Sequence, residues 1–343
     1  MGTDIESVAH ALRGATANTA AELGAEISAQ IGRLVGHDGY QVVGFDPLAL
    51  VGCLYADENG YSDQANRRLQ VVDFSGRPGT PFRRLLDDGP AELLGAGALD
   101  RGHGGLQLAV MRAEGFGSEL RIALIYQGRA WGAMNLLRER TRRPFSPDHL
   151  ADAQRLSRSL AATVRRFAAS KPLRPARAAA AVGVLIIDPR LTVTAMTPDA
   201  PGWLHQIAPY ARVGVNEQLT IRIVRSVAYA AQRTRQQVVN RVPTPGGWVA
   251  LHGQALQGDR PGEVAITIGP AAGSTLLPAA AAWYGITARE QTVIEHALDG
   301  LATKQIARRL DLSTYTVNDH LKAIYRKTGV TGRDELTAHL AAP

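Results

Sequence analysis

The chain has a single cysteine, Cys53, in 343 residues. That excludes an intramolecular disulfide framework and a cysteine-rich zinc site, and it fits a reducing compartment. No apolar run approaches the roughly eighteen residues a helix needs to cross a bilayer, and no basic-then-apolar leader opens the chain. A cytoplasmic protein without membrane contact is the expectation. No G-x-x-x-x-G-K-[ST] occurs, so a P-loop ATPase has no support. Aromatics make up only 6%, and lysine is scarce beside arginine, a bias that reflects genome composition more than function. What remains is 45% apolar and 20% charged, an ordinary globular balance with enough material for real cores. The length predicts two or three domains.

A formal charge of +7 invites a nucleic-acid reading, but its location decides. From Tyr284 onward, eight cations face seven anions, so that segment carries only +1. Much of the excess lies upstream, at Arg165, Arg166, Lys171, Arg174 and Arg177, then at Arg212, Arg222, Arg225, Arg233, Arg235 and Arg241. Attraction to phosphate must therefore come from clustering on one face.

Two breaks divide the chain. Ser170-Lys171-Pro172-Leu173-Arg174-Pro175 interrupts a helical pattern, and a Gly/Pro/Ala-rich run extends from Gly269 to Pro278. They predict domains over 1–170, 178–272 and 280–343.

The first segment opens with a helical stretch ending near Leu34, followed by strand-like runs Tyr40–Phe45, Leu48–Tyr55 and Leu106–Val110. Its clearest unit is a hairpin in which Ile122–Tyr126 and Trp131–Leu137 flank Gln127-Gly128-Arg129. Ser146 then stands as an N-cap and Pro147 as a first helical residue. Leu150, Ala153, Leu156, Leu160 and Val164 recur at three- and four-residue spacing, which predicts an amphipathic helix. Hairpin, cap and closing helix resemble the end of a GAF domain, a sheet with helices that often encloses a small ligand.

The second segment opens with a strand, Val182–Ile187, a turn at Asp188-Pro189 and a second strand through Val193. A helical middle, Leu219–Thr234, precedes two further strands, Gly246–Leu256 and Val264–Ile268. This order, with Trp203-Leu204 after the first strand pair, is similar to a PAS-like sensor domain. The family usually carries Asn where Thr197-Pro198-Asp199 stands here.

The tail holds the densest signal. Thr287-Ala288-Arg289-Glu290 is a capping box opening a helix that buries Val293, Ile294, Ala297 and Leu298 and stops at Gly300. Thr303 is a cap for a second helix burying Ile306, Ala307 and Leu310. Ser313 caps a third, with Val317, Leu321 and Ile324 inward and Gly329 at its end. Thr331 stands ready to cap a last helix packing Leu336 and Leu340. Caps, stops and stripes agree with one another, as a cooperative small domain requires. The third helix would expose Thr314, Asn318, Asp319, Lys322, Arg326 and nearby Lys327. Asn pairs with adenine and Lys reaches guanine or phosphate.

These residues resemble the LuxR-type helix-turn-helix domain of bacterial transcription regulators over about 284–342. Matching positions include Thr287, Arg289, Glu290, Val293, Gly300, Lys304, Ile306, Ala307, Leu310, Ser313, Thr316, Val317, His320, Ile324, Lys327, Gly329, Val330 and Arg333. The resemblance implies that the helix over 314–327 lies in the major groove. Asn318, Asp319 and Lys322 then become base-edge positions, and Lys304, Thr314, Thr316 and Lys327 phosphate contacts; Val317 and Arg326 complete the expected DNA-binding set. The family commonly has Ser-Asn at Ala302-Thr303, Glu at Gln305 and Lys at Asn318. Losing that Lys weakens generic phosphate attraction, and Asp319 would accept from cytosine or repel phosphate.

Other constellations are weaker. His103-Gly104-Gly105 and the Asp57, Glu58, Asp63 group match no ligand spacing. Gly95-Ala96-Gly97 lacks the context of a dinucleotide site. Trp131, Trp203 and Trp248 would line sensor pockets or, more simply, pack in the core; Asp188 reads as a turn residue; Arg233 and Arg235 would extend the DNA footprint or, more simply, stand as solvated cations. No catalytic residue, metal ligand or cofactor is assigned.

The expected architecture is multi-domain α+β: two antiparallel-sheet sensor domains, GAF-like and PAS-like, followed by an all-α four-helix reader. The expected function is a DNA-binding transcriptional regulator under upstream sensing. Its expected partners are double-stranded DNA, a small-molecule effector, RNA polymerase and a second copy of the chain, with the apolar stripes of the helix at 148–168 and the arm before residue 34 serving either as dimer surfaces or as internal core. The alternatives are a sensing protein with an enzymatic upstream domain, and an RNA-polymerase-associated adaptor.

Overall fold

The computed structural model describes residues 2–73, 85, 89–95, 105–177, 181–209, 213–218, 221–258, 261–271 and 273–340. His103, Gly104, Ala96, Gly97, Arg212 and Leu219, named above, lie outside the described residues. The chain forms two compact units, Met1–Phe45 with Leu54–Phe167, and Asp46–Cys53 with Ala168–Pro343.

The first unit begins with two helices rather than one, α1 (Gly2–Arg13) and α2 (Ala20–Ile31). Thr19 caps α2 by accepting from the Glu22 amide at 3.1 Å, and the Asn18 amide donates to the Glu22 carboxylate at 2.8 Å. There follow β1 (Gly39–Phe45), β2 (Gly52–Glu58), α3 (Asp63–Asp73), β3 (Ala91–Leu94), α4 (Gly105–Ala113), β4 (Phe116–Tyr126), β5 (Arg129–Glu139) and α5 (Pro147–Ala169). The strands form one sheet in the order β2-β1-β5-β4-β3.

One strand expectation starts too early here and another fails. The run from Leu48 becomes extended only at Gly52, because the Asp46 carboxylate holds the Leu48 and Ala49 amides in a turn. Leu106–Val110 is helical, and the unit buries Gln107, Val110 and Met111 at three- and four-residue spacing. Five apolar-rich residues are too short to separate the two periods.

The hairpin forms, with a tighter turn than expected. Arg129 already pairs with Tyr126, leaving Gln127 (φ 51°) and Gly128 (φ 71°) in the left-handed region that a two-residue type I′ turn demands. On α5 four of the five expected stripe residues, Ala153, Leu156, Leu160 and Val164, are fully buried, while Leu150 at the start is half-buried. Ser157 donates to the Ala123 carbonyl, while Thr163 and Arg166 donate to the Leu12 carbonyl at the end of α1. Val8, Leu12, Leu23, Ile27 and Ile31 are buried too. The apolar stripes offered as dimer surfaces are therefore core of this unit.

The second unit carries β6 (Gly183–Ile187), β7 (Val193–Met196), α6 (Ala200–Ile207), α7 (Arg222–Thr234), β8 (Val238–Thr244), β9 (Gly247–Ala255) and β10 (Val264–Pro270). Its sheet runs β7-β6-β10-β9-β8, the same relative order as the first. The Asp188 carboxylate accepts from the Arg190 and Thr192 amides, making the β6–β7 turn.

Strand β8 has no counterpart in the sequence reading. It holds Asn240 and Arg241, both buried. Arg241 pairs with buried Asp46 at 2.9 Å, and Asn240 donates to the Gly52 carbonyl at 2.9 Å. Their partners lie almost two hundred residues away, so no local pattern marks them as interior. Burial also removes Arg225 and Arg241 from the solvent-facing cations.

Neither break is a loose tether. The Trp248 amide donates to the Arg174 carbonyl, and the Ala176 amide donates back to the Trp248 carbonyl. The second break overlaps α8 (Gly273–Tyr284), with Pro278 inside the helix. Helices α9 (Ala288–Leu298), α10 (Thr303–Arg309), α11 (Thr314–Thr328) and α12 (Arg333–Leu340) complete the unit.

Candidate nucleic-acid interface

The four last helices are set by the local chemistry of their ends. Thr287 accepts from the Glu290 amide at 3.3 Å, and the Thr287 amide donates to the Glu290 carboxylate at 2.7 Å, closing the capping box on α9. Gly300, at φ 79°, follows it. The cap of α10 differs from expectation: Ala302 is the N-cap and Thr303 the first helical residue, with the Gln305 side chain accepting from the Ala302 amide at 2.7 Å. Ser313 caps α11 by accepting from the Thr316 amide at 3.0 Å, and Gly329, at φ 73°, ends it. Thr331 bonds through its amide and hydroxyl to the Glu335 carboxylate, two residues ahead of α12.

Between α10 and α11 the chain turns in four residues. Asp311 takes a left-handed φ of 52°, and the Leu312 amide donates to the Ala307 carbonyl at 2.9 Å. Asp tolerates this conformation better than most side chains do. The turn aims α11 across α10, with Ile306, Ala307, Val317, Leu321 and Ile324 in the shared interior. Each fully buried aliphatic of this kind contributes about 1.5–3 kcal/mol.

With that stripe inward, the opposite face of α11 is exposed within the unit. Thr314, Asn318, Asp319, Lys322 and Arg326 all stand on it, as expected, and Lys304 is exposed at the start of α10. Lys322 and Asp319 lie 3.9 Å apart one turn from each other, with side chains 76% and 49% exposed. Two members of the expected set sit elsewhere. Val317 is fully buried, so its side chain is part of the bundle's interior. Lys327 turns back to the capping box, its ammonium 2.8 and 2.6 Å from the two Glu290 carboxylate oxygens. Burial alone would raise the Glu290 carboxyl, but the Lys327 ammonium and the Thr287 amide hold it below its ordinary range. Thr316 is half-buried beside the Ser313 hydroxyl.

The sequence reading passed over Tyr315. It is 74% exposed, the most exposed large hydrophobic among the described residues, ahead of Val182 at 53%. Its spacing from Asn318, Asp319 and Lys322 was the available signal: three, four and seven residues, one face of a helix.

Further anchors hold the bundle together. Arg289 donates to the Leu310 carbonyl and Arg333 to the Ala297 carbonyl. Upstream, the Tyr284 hydroxyl donates to the Lys171 carbonyl at 2.7 Å and accepts from the Trp248 indole at 3.2 Å. Burial pushes the Tyr284 phenol far above its ordinary range. Arg241 donates to the Thr275 carbonyl, and Gly273 packs so closely on the Leu340 carbonyl that no Cβ fits between them. Trp131, Trp203 and Trp248 are core residues. Among the described residues, no three His, Cys, Asp or Glu side chains converge as metal ligands, and no helix is long and apolar enough to cross a membrane.

Residues 285–340 match the family model described as bacterial regulatory proteins, luxR family, and residues 25–164 match the GAF domain model. A monoamine regulon transcriptional regulator of Klebsiella aerogenes is 40% identical over 58 residues. The match covers 17% of this chain and 26% of that protein, so the chain spans about a quarter of that relative's length. Among solved structures, Escherichia coli SdiA is 15% identical, with 98% of this chain and 95% of that chain covered and a TM-score of 0.38. A phycoerythrobilin-bound GAF domain from a cyanobacterial phytochrome is 16% identical, with 48% and 94% covered and a TM-score of 0.34. By these matches the chain carries a GAF domain over 25–164 and, over 285–340, the helix-turn-helix domain of the LuxR family of bacterial regulatory proteins.

Proposed function

We propose that this protein is a transcriptional regulator that reads double-stranded DNA with α11. The observation that carries the reading is the exposed stripe Thr314, Asn318, Asp319, Lys322 and Arg326, presented outward by a buried opposite face and a capped N-terminus. An exposed helix of this kind fits the major groove, where Asn pairs with adenine and Lys with guanine or phosphate. Lys304, Thr314 and Thr316 supply phosphate contacts near the ends of α10 and α11. Lys327 supports the stripe from behind through Glu290.

The GAF domain is the input for a small-molecule effector or a protein partner. The middle sheet, over 178–272, is PAS-like: its strands repeat the second-first-fifth-fourth-third order of the GAF sheet, with α6 and α7 between the second and third strands. The reader occupies 280–343, and α8 leads into it. The regulator works in the cytoplasm as a homodimer, places two copies of α11 about one helical turn apart, and acts on RNA polymerase at promoters. No catalytic residue takes part in this account; a signal biases two states of different DNA affinity.

The test is selection of duplexes from random sequence by the full chain, followed by a salt series on the winner. Enrichment of one motif, with affinity falling steeply as salt rises, supports the reading. Failure to enrich any duplex overturns it and favours an adaptor that uses the bundle for protein contact.

A further inference from the structure

Tyr315 is conspicuous because nothing in the second unit's interior asks for an aromatic there. It stands on the first turn of α11, 74% exposed, in line with Asn318, Asp319 and Lys322. A phenol ring left in water forgoes the burial that normally repays so large an apolar side chain. The surrounding stripe is polar and charged, so the complementary surface is not a hydrophobic protein groove. Within a major groove, the apolar feature that a base presents is the C5-methyl of thymine. The N-terminal turn of a recognition helix is also the part that enters deepest toward the base edges.

We infer that Tyr315 is a specificity-determining residue that packs its ring against a thymine methyl, in addition to the hydrogen-bonding set. This rests on the reading of α11 as the DNA-reading helix. The ring supplies the contact; the hydroxyl is dispensable. Asp319, one turn further along and paired with Lys322 at 3.9 Å, disfavours phosphate on this part of the face.

The experiment uses the full chain and the duplex it selects from random sequence. Each thymine of that site is replaced in turn by deoxyuridine, which removes only the methyl group. Wild-type protein loses roughly threefold to tenfold in affinity at one thymine, the scale set by burying one methyl group. Tyr315→Ala binds the parent site more weakly and no longer distinguishes thymine from deoxyuridine there. Tyr315→Phe keeps the discrimination. Because the side chain is mostly in solvent, both variants keep the fold, which their unfolding midpoints check. If duplex binding occurs but no thymine shows the effect, or if Tyr315→Ala shows it undiminished, the inference is overturned while the DNA reading stands. If wild-type protein binds no duplex at all, both fall.

Discussion

Lys327, near the C-terminal end of α11, grips Glu290 in the capping box of α9, with its ammonium 2.8 and 2.6 Å from the two carboxylate oxygens. The pair joins residues 37 positions apart and sets the far end of α11 against the start of the bundle. A residue expected on the DNA is thereby part of the frame that aims its neighbours.

Breaking this pair should destabilise the second unit. Lys327→Met leaves a carboxylate that is mostly buried without its cation, and because Lys327 is a quarter exposed a loss of about 1.5–3 kcal/mol, the scale of hydrogen bonds to charged groups, is expected. Urea unfolding followed by tryptophan fluorescence measures it. The pH dependence has a definite sign. Glu290 titrates below its ordinary range in the folded state, so its contribution is complete above the unfolded value of 4.5 and fades as pH falls through the lower folded value. Wild-type protein should lose more stability than Lys327→Met between pH 6 and roughly 3. Parallel pH curves for the two proteins would show that the contact contributes nothing.

Tyr284 makes the opposite prediction in alkali. Its hydroxyl bridges the Trp248 indole and the Lys171 carbonyl inside the unit, and burial holds the proton on. A phenol with a raised folded pKa leaves stability intact below its ordinary value of 10, and stability declines as pH rises beyond it. Tyr284→Phe should cost about 1–2 kcal/mol at neutral pH and flatten the decline above pH 10. A decline as steep in Tyr284→Phe as in wild type assigns the alkaline sensitivity elsewhere.

Gly273 tests the packing of α8 on α12. Gly273→Ala forces a methyl into the Leu340 carbonyl, which only backbone movement relieves. A loss of about 2–4 kcal/mol is expected, against a gain if the helix were free at that position. A thermal midpoint equal to or above wild type would mean the close approach is absent in solution.

Asp319 pairs with Lys322 at 3.9 Å, and on the proposed reading it opposes the phosphates. Asp319→Asn should raise affinity for duplexes of unrelated sequence several-fold at low salt, while narrowing the gap between selected and unrelated sites. Fluorescence anisotropy on both duplexes reads it. An unchanged ratio would place Asp319 off the DNA.

How much of this was legible in the sequence follows from where each residue's partners lie. The tail was readable because its information is local: Thr287 with Glu290, Ser313 with Thr316, and the glycines 300 and 329 lie within a turn of what they cap. The β4–β5 hairpin was readable for the same reason. Thr19 and Glu22 carried an equally local signal for a second N-terminal helix, and it was passed over. Strand β8 was not readable, since Asn240 and Arg241 look like surface residues until Gly52 and Asp46 are beside them. Lys327 was misplaced because a cation at the end of a recognition helix suits phosphate and carboxylate alike. Only the folded bundle shows Glu290 within reach.

The central claim is that the exposed stripe of α11 touches DNA, and Lys322 tests it most directly. Its side chain is 76% exposed, so replacement leaves the bundle intact. The slope of log affinity against log salt is measured for wild-type and Lys322→Ala full-length protein on the selected duplex. The account predicts weaker binding and a slope smaller by about one for the variant, the signature of one lost phosphate-class contact. Identical affinities and identical slopes would contradict it.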